Sequence, residues 1–310
     1  YGADTVRLFI LFAANPTAGM DWSDAALEAN YRQMVQLHGM PKTILEWNGQ
    51  ASDIDLWMRA RLKQRYVQWK NAMDNYDLRG AVDASHFDLV KDLNWYKRRG
   101  GENPVIGKEI LNLWCHMISV ATPHLAEDWW EMMGNKDLIA ARTFPYPDEI
   151  SADEISALEG EAYLRSFLEQ ARKVAKVAAK HIGGEPTSAT VHISRPWKRN
   201  LAIAGISHVE SGENIKMFAG KISDLEFVTS ENKGEIMGFW GKRMLPQIFK
   251  WSDEEKSMIC GSLDEGAVLS AASNFICADL GLGSIEIENG IVDIGRSSAA
   301  IPLAPSIVYE

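Results

Sequence analysis

Apolar residues recur at every third or fourth position from the beginning of the chain to about residue 134. This spacing is helical, and no alternating strand pattern interrupts it. It predicts about five or six helices that are joined by short loops and pack on each other through one buried stripe each. The predicted stripes are Leu27, Tyr31, Met34, Val35 and His38; Met58, Leu62, Tyr66, Trp69 and Met73; Leu78, Val82, Leu89, Leu93 and Tyr96; and Ile106, Ile110, Leu113, Trp114, Met117 and Ile118.

Proline and glycine mark the ends of several of these helices. Pro104 and Pro123 suit first helical turns, because a proline there loses no helical hydrogen bond. Gly134 can close the helix that Pro123 opens. Residues 135–150 carry further prolines, and we expect them to form an extended connection.

A long amphipathic helix is predicted after this connection. Ser151 and Glu154 have the spacing of a capping box, and Gly183 with Gly184 ends the helical period. One face of the helix is apolar and another is basic, so one side can pack while the other meets phosphate. The apolar face consists of Leu164, Leu168, Ala171, Ala175, Ala178 and Ile182, and the basic face of Arg165, Arg172, Lys173, Lys176 and Lys180.

After Gly184, short β-branched or alternating segments are interspersed with helical ones, which is typical of a small α+β domain. The last segment, Ile301 to Glu310, carries two prolines and a β-prone end, so it suits either an edge strand or a projecting tail. The other predicted elements are a strand at Thr190 to Ile193, a capping box at Ser252 and Glu255, a helix from Ala267 to Leu280 that ends at Gly281, and a hairpin of Ser284 to Glu288 with Ile291 to Ile294 around Asn289-Gly290.

The predicted fold class is therefore mainly α, with a helical bundle followed by a small α+β domain. We expect the bundle in residues 1–150, a connecting basic helix in 151–185 and the α+β domain in 186–310. The chain has 310 residues and is 46% hydrophobic, which is enough for two cores. It shows neither an apolar run of about 18 residues nor a signal-peptide pattern, and we expect a soluble, cytoplasmic, monomeric protein without a membrane partner.

The net charge of −10 argues weakly against nucleic-acid binding, because Lys and Arg make the phosphate contacts. The distribution of charge matters more than its sum. Five basic residues and no acid lie between Arg59 and Lys70, and eight basic residues with only two Glu lie between Arg165 and Arg199. Basic faces on an acidic body are therefore expected.

Motifs for catalysis are missing from the sequence. It contains no phosphate-binding loop of the Walker type, no Gly-x-Ser-x-Gly elbow and no His-Glu-x-x-His zinc motif. We expect no catalytic residue, no metal site and no cofactor in this chain. His38 and His86 are expected in or beside the core, and His124 in packing or helix capping. The three cysteines, predicted to be buried thiols, are Cys115, Cys260 and Cys277.

Two segments combine aromatic and basic residues, as RNA-binding surfaces do. Residues 95–101 read Trp-Tyr-Lys-Arg-Arg-Gly-Gly at the end of a predicted helix, and residues 195–199 read Arg-Pro-Trp-Lys-Arg after a predicted strand. Aromatic rings and guanidinium planes can stack on unpaired bases. Because cations also complement the negative end of a helix dipole, simple charge capping by residues 97–99 is the alternative.

Blocks of sequence in the first half resemble class I aminoacyl-tRNA synthetases. The segment Tyr1-Gly2-Ala3-Asp4-Thr5-Val6-Arg7-Leu8-Phe9 is similar to the one that follows the Lys-Met-Ser-Lys-Ser loop in the leucine, isoleucine and valine enzymes. Leu11-Phe12-Ala13-Ala14 with Asp21-Trp22-Ser23 narrows the resemblance to leucyl enzymes. The block from Ala121 to Trp130 resembles the Thr-Pro-His-x-x-Glu-Glu-x-Trp helix that closes their anticodon-type bundle.

The second half resembles the C-terminal domain of archaeal and eukaryotic-type leucyl-tRNA synthetases. Trp197-Lys198, the helix before Gly281 and the ending from Ala300 to Glu310 carry this resemblance. It departs from many relatives at Leu303-Ala304-Pro305, where a cation is expected before the proline. The resemblance implies a bundle docked on the core of leucine tRNA and a C-terminal domain that reaches its long variable arm. Because the catalytic motifs are absent, we expect a C-terminal fragment that is inactive alone, whose parent enzyme is the ATP-dependent leucine-tRNA ligase.

The resemblance also suggests the tRNA contacts. We expect Lys97, Arg98 and Arg99 to bind phosphates, Trp197 and Lys198 to lie on the variable-arm side, and Ile307, Val308, Tyr309 and Glu310 to meet exposed bases. Two alternatives stay open: the same region of a valyl or isoleucyl enzyme, and a helical module that binds protein partners through residues 165–180.

Overall fold

The computed structural model describes residues 1–13, 19–289 and 298–310, which form two compact units, Tyr1–Leu158 and Glu159–Glu310. The first unit is helical and the second combines helices with a three-stranded sheet, which confirms the predicted fold class. The division falls inside one long helix, so the segment that we predicted as a connecting element contributes to both units.

The first unit is a bundle in which α6 packs against α2, α3 and α7. Its core is rich in tryptophan, and the Trp114 and Trp129 rings meet edge to face with centroids 5.1 Å apart. The predicted stripes on α3 and α6 are in the core. The helices are α1 (Ala3–Ala13), α2 (Asp24–Leu45), α3 (Ile54–Asp74), α4 (Leu78–Val82), α5 (Leu89–Arg98), α6 (Pro104–Ser119), α7 (Pro123–Met132) and the start of α8 (Ala152–Ile182).

Local capping signals were read correctly. Asn103 caps α6 and Pro104 occupies its first turn. Pro123 occupies the first turn of α7. Ser151 Oγ accepts the Glu154 amide at 3.2 Å while the Glu154 carboxylate accepts the Ser151 amide at 2.8 Å, which completes the predicted capping box. These signals depend only on residues that are neighbours in the sequence, so the sequence alone can show them.

The stripe from Leu78 to Tyr96 is not one continuous α-helix, contrary to our prediction. A π-helical turn, Asp83–Asp88, lies between α4 and α5. In this turn the Ser85 carbonyl accepts the indole N–H of Trp114 at 2.5 Å, and the His86 carbonyl accepts an amide N–H of Gln33 at 2.5 Å. Side-chain donors from other helices thus bond the carbonyls of the widened turn.

The buried face of α2 is rotated from the predicted stripe. Tyr31, Val35 and His38 are exposed and line an open groove of about 410 Å³ with the beginnings of α1 and α7. The prediction was wrong because the true stripe contains a polar residue and a proline, which apolar spacing does not reveal. Its members are Leu27, Asn30, Leu37, Pro41 and Ile44.

Two of the sequence blocks that carry the resemblance meet in this unit. Asp4 in α1 accepts the backbone N–H of Leu125 at 2.9 Å, and its other carboxylate oxygen lies 2.9 Å from Nδ1 of His124. A carboxylate at the beginning of α7 satisfies an orphan donor and complements the helix dipole. Asp4, and not His124, thus caps the beginning of α7, while the largely exposed His124 side chain contacts the capping carboxylate.

The second unit holds a sheet of order β2-β1-β3, with β1 parallel to β2 and antiparallel to β3. The predicted partner of β2 in a hairpin, Ile291 to Ile294, lies outside the described residues. The elements are β1 (Ser188–His192), α9 (Pro196–Glu210), α10 (Ile215–Lys221), α11 (Lys233–Phe239), a π turn (Trp240–Met244), α12 (Leu245–Ile248), α13 (Asp253–Cys260), α14 (Glu265–Ala271), α15 (Ser273–Leu280), β2 (Ser284–Glu288) and β3 (Ser306–Tyr309), with 3-10 turns at Ile139–Ala141 and Ile222–Asp224.

Three further expectations need correction, one for a helix and two for side-chain burial. The helix predicted from Ala267 to Leu280 is two helices that meet at Ala272. Ile182 is exposed, because the burial of α8 fades after Ala171. Among the cysteines only Cys115 is buried, while Cys260 is exposed and Cys277 intermediate.

No helix in the described part of the chain combines the length and apolarity that a membrane span requires.

Candidate nucleic-acid interface

The basic run from residue 59 to 70 is not a free basic face. Every one of its five cations has an acidic partner, and most of these acids come from distant helices. The Asp92 carboxylate, which is 2% exposed, accepts hydrogen bonds from two of the arginines. The pairs are Arg59 with Glu109, Arg61 and Arg65 with Asp92, Lys63 with Glu154, and Lys70 with Asp74. We therefore exclude this run from the candidate interface.

The end of α5 does present cations at the surface. Lys97 and Arg98 are exposed and Arg99 is half-buried. The Arg98 guanidinium lies 5.4 Å from the centroid of the Trp95 ring, a cation–π arrangement that places a planar cation beside an aromatic face. The three cations also lie where the helix dipole favours them, so charge capping and phosphate binding are both compatible with this geometry.

A buried network holds this helix end in place. The Tyr96 hydroxyl donates to Asp55 at 2.5 Å, and the Asn103 side chain donates to the same carboxylate at 2.6 Å. Burial, reinforced by the bond to Asp55, raises the pKa of Tyr96 far above its usual value. Gly101 must be glycine, because a Cβ there would lie 2.2 Å from the Tyr96 ring. The turn after α5 is thus fixed on both sides.

The second predicted segment opens α9, with Arg195 as its N-cap and Pro196 in its first turn. Trp197 is half-buried and meets the Phe239 ring edge to face at 5.1 Å. Lys198 is only 1% exposed, and its ammonium donates to the carbonyls of Ser298 and Ala300, both at 3.0 Å. In this conformation the ammonium faces protein oxygens and not the surface, so Lys198 acts as an internal brace.

Residues Ile307 to Tyr309 lie in the sheet as part of β3, so the edge-strand alternative is the one found. The Tyr309 hydroxyl donates to the Ala171 carbonyl at 2.8 Å, and burial raises the pKa of Tyr309 to about 12. The Tyr309 ring packs in the apolar cluster of this unit and is not available for stacking in this conformation. Glu310 is exposed.

The pairing of β3 leaves backbone groups on its outer side. Ser188 and Glu310 exchange two backbone hydrogen bonds, of 3.0 and 3.2 Å. Because hydrogen-bonded and non-hydrogen-bonded pairs alternate along an antiparallel ladder, Val308 bonds to β1 while the N–H and C=O groups of Ile307 and Tyr309 point away from it. In the sheet formed by the described strands β3 is an edge, so no described strand pairs with these groups.

No cluster of three or more His, Cys, Asp or Glu side chains within residues 1–13, 19–289 and 298–310 is arranged to hold a metal ion.

Comparison with known proteins shows what parts of this chain are similar to. Residues 55–182 match the sequence model described as the anticodon-binding domain of tRNA ligase. Leucine–tRNA ligases are similar over the chain: that of Methanothrix thermoacetophila is 26% identical over 100% of this chain, and that of Methanocaldococcus jannaschii is 28% identical over 100%. The enzyme of Archaeoglobus fulgidus is 27% identical over 99%. The chain is therefore similar over essentially its whole length to archaeal leucine–tRNA ligases.

This relationship agrees with the resemblance seen in the sequence blocks. The chain spans only 30 to 32% of the length of these ligases. A solved structure, titled as the ternary complex of Agrobacterium radiobacter K84 agnB2 LeuRS with tRNA and LeuAMS, is 20% identical over 50% of this chain and 20% of its own, with a TM-score of 0.41. That score is too low for any position to be transferred. The matched range 55–182 begins in α3 and includes the Lys97 to Arg99 turn and the whole of α8.

Sequence reasoning missed the two features of the site that depend on tertiary structure. The brace formed by Lys198 depends on carbonyls about a hundred positions further along the chain. The outward orientation of the Ile307 and Tyr309 backbone groups depends on the register with β1. Only the β-prone ending and its prolines hinted at an edge strand.

Proposed function

We propose that this chain is the tRNA-binding, C-terminal part of a leucine–tRNA ligase. It holds leucine tRNA so that the acceptor end reaches an ATP-dependent catalytic region that lies outside this chain. The match of residues 55–182 to the anticodon-binding domain of tRNA ligase is the observation that supports this most strongly. Binding of this kind aids catalysis because the tRNA is already positioned, so less translational and rotational entropy is lost when the reacting groups align.

In this proposal the end of α5 binds the phosphate backbone. Lys97 and Arg98 supply exposed charge, and Arg99 adds a third cation on the same turn. The buried network of Tyr96, Asp55 and Asn103 keeps the turn rigid, so little entropy is lost when RNA binds. Contacts of this type position the RNA without reading its sequence.

Specificity in this proposal comes from the second unit. The outward backbone groups of Ile307 and Tyr309 can bond to the edges of unpaired bases, and the exposed Glu310 carboxylate can accept from amino groups of bases. A carboxylate gains nothing from phosphate, so the partner here must be exposed bases such as those at the tip of a long variable arm. Trp197 lies at the variable-arm side, and Lys198 supports the approach to β3 by bracing residues 298–300.

The phosphate contacts are tested by replacing Lys97, Arg98 and Arg99 together with alanine and titrating leucine tRNA at several salt concentrations. Each phosphate contact contributes about 0.9 to the slope of log affinity against log salt, so the slope should fall by about 2 to 3. The matched control replaces Arg32, Lys70 and Lys91, exposed cations that each pair with an acid one turn away.

The control removes the same charge and should change the slope much less. An equal change of the salt slope in both variants would show a general charge effect. An unchanged slope in the Lys97, Arg98 and Arg99 variant would mean that these residues only cap the helix.

The base contacts are tested at Ile307. Ile307→Pro removes an outward N–H without removing a ladder bond, and proline is tolerated at such edge positions. The variant should lose its preference for leucine tRNA over a tRNA with a short variable arm, whereas Ile307→Ala, which keeps the N–H, should retain it. Melting temperatures of both variants establish that the sheet is intact. Retained preference in the proline variant at an unchanged melting temperature would contradict base reading by this edge.

A further inference from the structure

The last three turns of α8 carry a row of lysines that the proposed contacts do not use. Lys173, Lys176 and Lys180 follow each other at spacings of three and four residues, which places them on one face of the helix, and all three are exposed. The row is about 10 Å long, because seven residues rise about 1.5 Å each. Val177 lies in the same row and is 57% exposed.

These three lysines have no acidic partner among the residues that the structure describes. The neighbouring Arg172, by contrast, pairs with Asp279 on α15. On a chain with a net charge of −10, this exposed row is a local concentration of positive charge.

The lysine row lies on a part of α8 that is held in the second unit by a hydrogen bond and by apolar packing. The preceding turn is fixed by the hydrogen bond from the Tyr309 hydroxyl to the Ala171 carbonyl. Ala175 and Ala178, on another side of the same turns, pack against the apolar cluster that includes Tyr309 and Leu282. The helix therefore buries one side and holds its lysine row toward solvent.

We propose that Lys173, Lys176 and Lys180 form a second phosphate-binding row that engages the sugar–phosphate backbone of the bound RNA. This inference rests on the proposed function. Lysine ammonium groups bind phosphate as point charges without a fixed geometry, and the row has no aromatic side chain that would stack on bases. RNA is favoured over an acidic protein because residues 173–180 lie within the range that matches the tRNA ligase domain.

The contact that this row makes is independent of sequence. Its loss should weaken leucine tRNA and a tRNA with a short variable arm by the same factor, unlike changes at β3. This difference separates the row from the base-reading edge.

The test uses the full chain with Lys173, Lys176 and Lys180 replaced together by alanine. Titrations with both tRNAs across a range of salt should show a slope that is smaller by about 2 to 3 for each RNA, with an unchanged preference between them. The Arg32, Lys70 and Lys91 triple variant again serves as the matched control, and thermal melting checks the fold.

The outcomes separate this inference from the proposed function. If the salt slope of the lysine variant is unchanged while the wild-type chain binds tRNA in a salt-dependent way, phosphate binding by the row is contradicted and the proposed function is not. Loss of binding to poly-glutamate together with an unchanged RNA slope overturns it in favour of an acidic protein partner. Failure of the wild-type chain to bind tRNA overturns the proposed function and the row with it.

Discussion

Burial of His86 should make the first unit less stable in mild acid. The imidazole lies in the π turn, fully buried, with Nδ1 2.8 Å from the Ser85 hydroxyl and Nε2 3.0 Å from the Thr122 hydroxyl. Burial lowers the pKa of His86 from 6.5 to about 3, and the Asp4 carboxylate opposes this shift only in part. The folded chain thus holds this histidine neutral.

The sign and the size of the effect follow from proton linkage. Between pH 6.5 and pH 3 the unfolded chain binds a proton at His86 that the folded chain does not, so stability falls as pH falls through this window. Each pH unit in the window is worth about 1.4 kcal/mol. At pH 5, roughly 1.5 units below the unfolded pKa, the loss should be about 2 kcal/mol.

The measurement is urea unfolding followed by tryptophan fluorescence at pH 7.5 and pH 5.0. His86→Gln removes the titration, so the variant should lose about 2 kcal/mol less than the wild type on going to pH 5.0. Other titrating groups are common to both proteins and cancel in the comparison. His38→Gln, at an exposed histidine, is the control and should behave as the wild type. Equal acid losses in the wild type and His86→Gln would refute the reasoning.

Three further substitutions test the packing around the candidate sites, each by the change in free energy of unfolding. Gly101→Ala should destabilise by about 2 kcal/mol or more, because the added methyl would overlap the Tyr96 ring; a neutral effect would mean that the turn is loose. Asp92→Asn should destabilise by about 3 kcal/mol, because it leaves two arginines without their buried partner, and an unchanged stability would contradict the pairing. Lys198→Met should destabilise by about 2 kcal/mol, because it leaves the carbonyls of Ser298 and Ala300 without their donor. A stability equal to wild type combined with weaker tRNA binding would make Lys198 a direct contact.

The sequence predicted what depends on neighbours in the chain. Pro104 and Pro123 at helix starts, the capping boxes at Ser151 and Ser252, and Gly281 with φ of 72° at the end of α15 were all read correctly. Each signal is a side chain acting on backbone within one turn, so no tertiary information is needed.

Tertiary partners account for the errors. The run from Arg59 to Lys70 reads as a basic face, but acids from α5, α6 and α8 neutralise most of it. The π turn around His86 likewise depends on donors from α2 and α6. The face of α2 was misjudged because Asn30 and Pro41 are buried while Tyr31 is exposed.

The sequence shows which segments are rich in aromatic and basic residues, but it does not show which of them lie at the surface. The aromatic and basic cluster at Trp95 to Arg99 is at the surface as its composition suggests. The similar cluster at Trp197 and Lys198 is largely internal, because the first turn of α9 packs on Phe239 and braces the approach to β3. Composition cannot separate these two cases, since only the fold decides which side of a helix faces solvent.

A binding titration of the intact chain with two RNAs tests the central proposal most directly: a leucine tRNA transcript, and the same transcript with its variable arm shortened. The proposal predicts salt-dependent binding to both, with affinity at least tenfold higher for the full-length arm, since two lost base contacts of about 1 to 3 kcal/mol each exceed the roughly 1.4 kcal/mol of a tenfold change. Equal affinity for the two RNAs would contradict reading of the arm, and no salt-dependent binding to either would contradict tRNA binding itself.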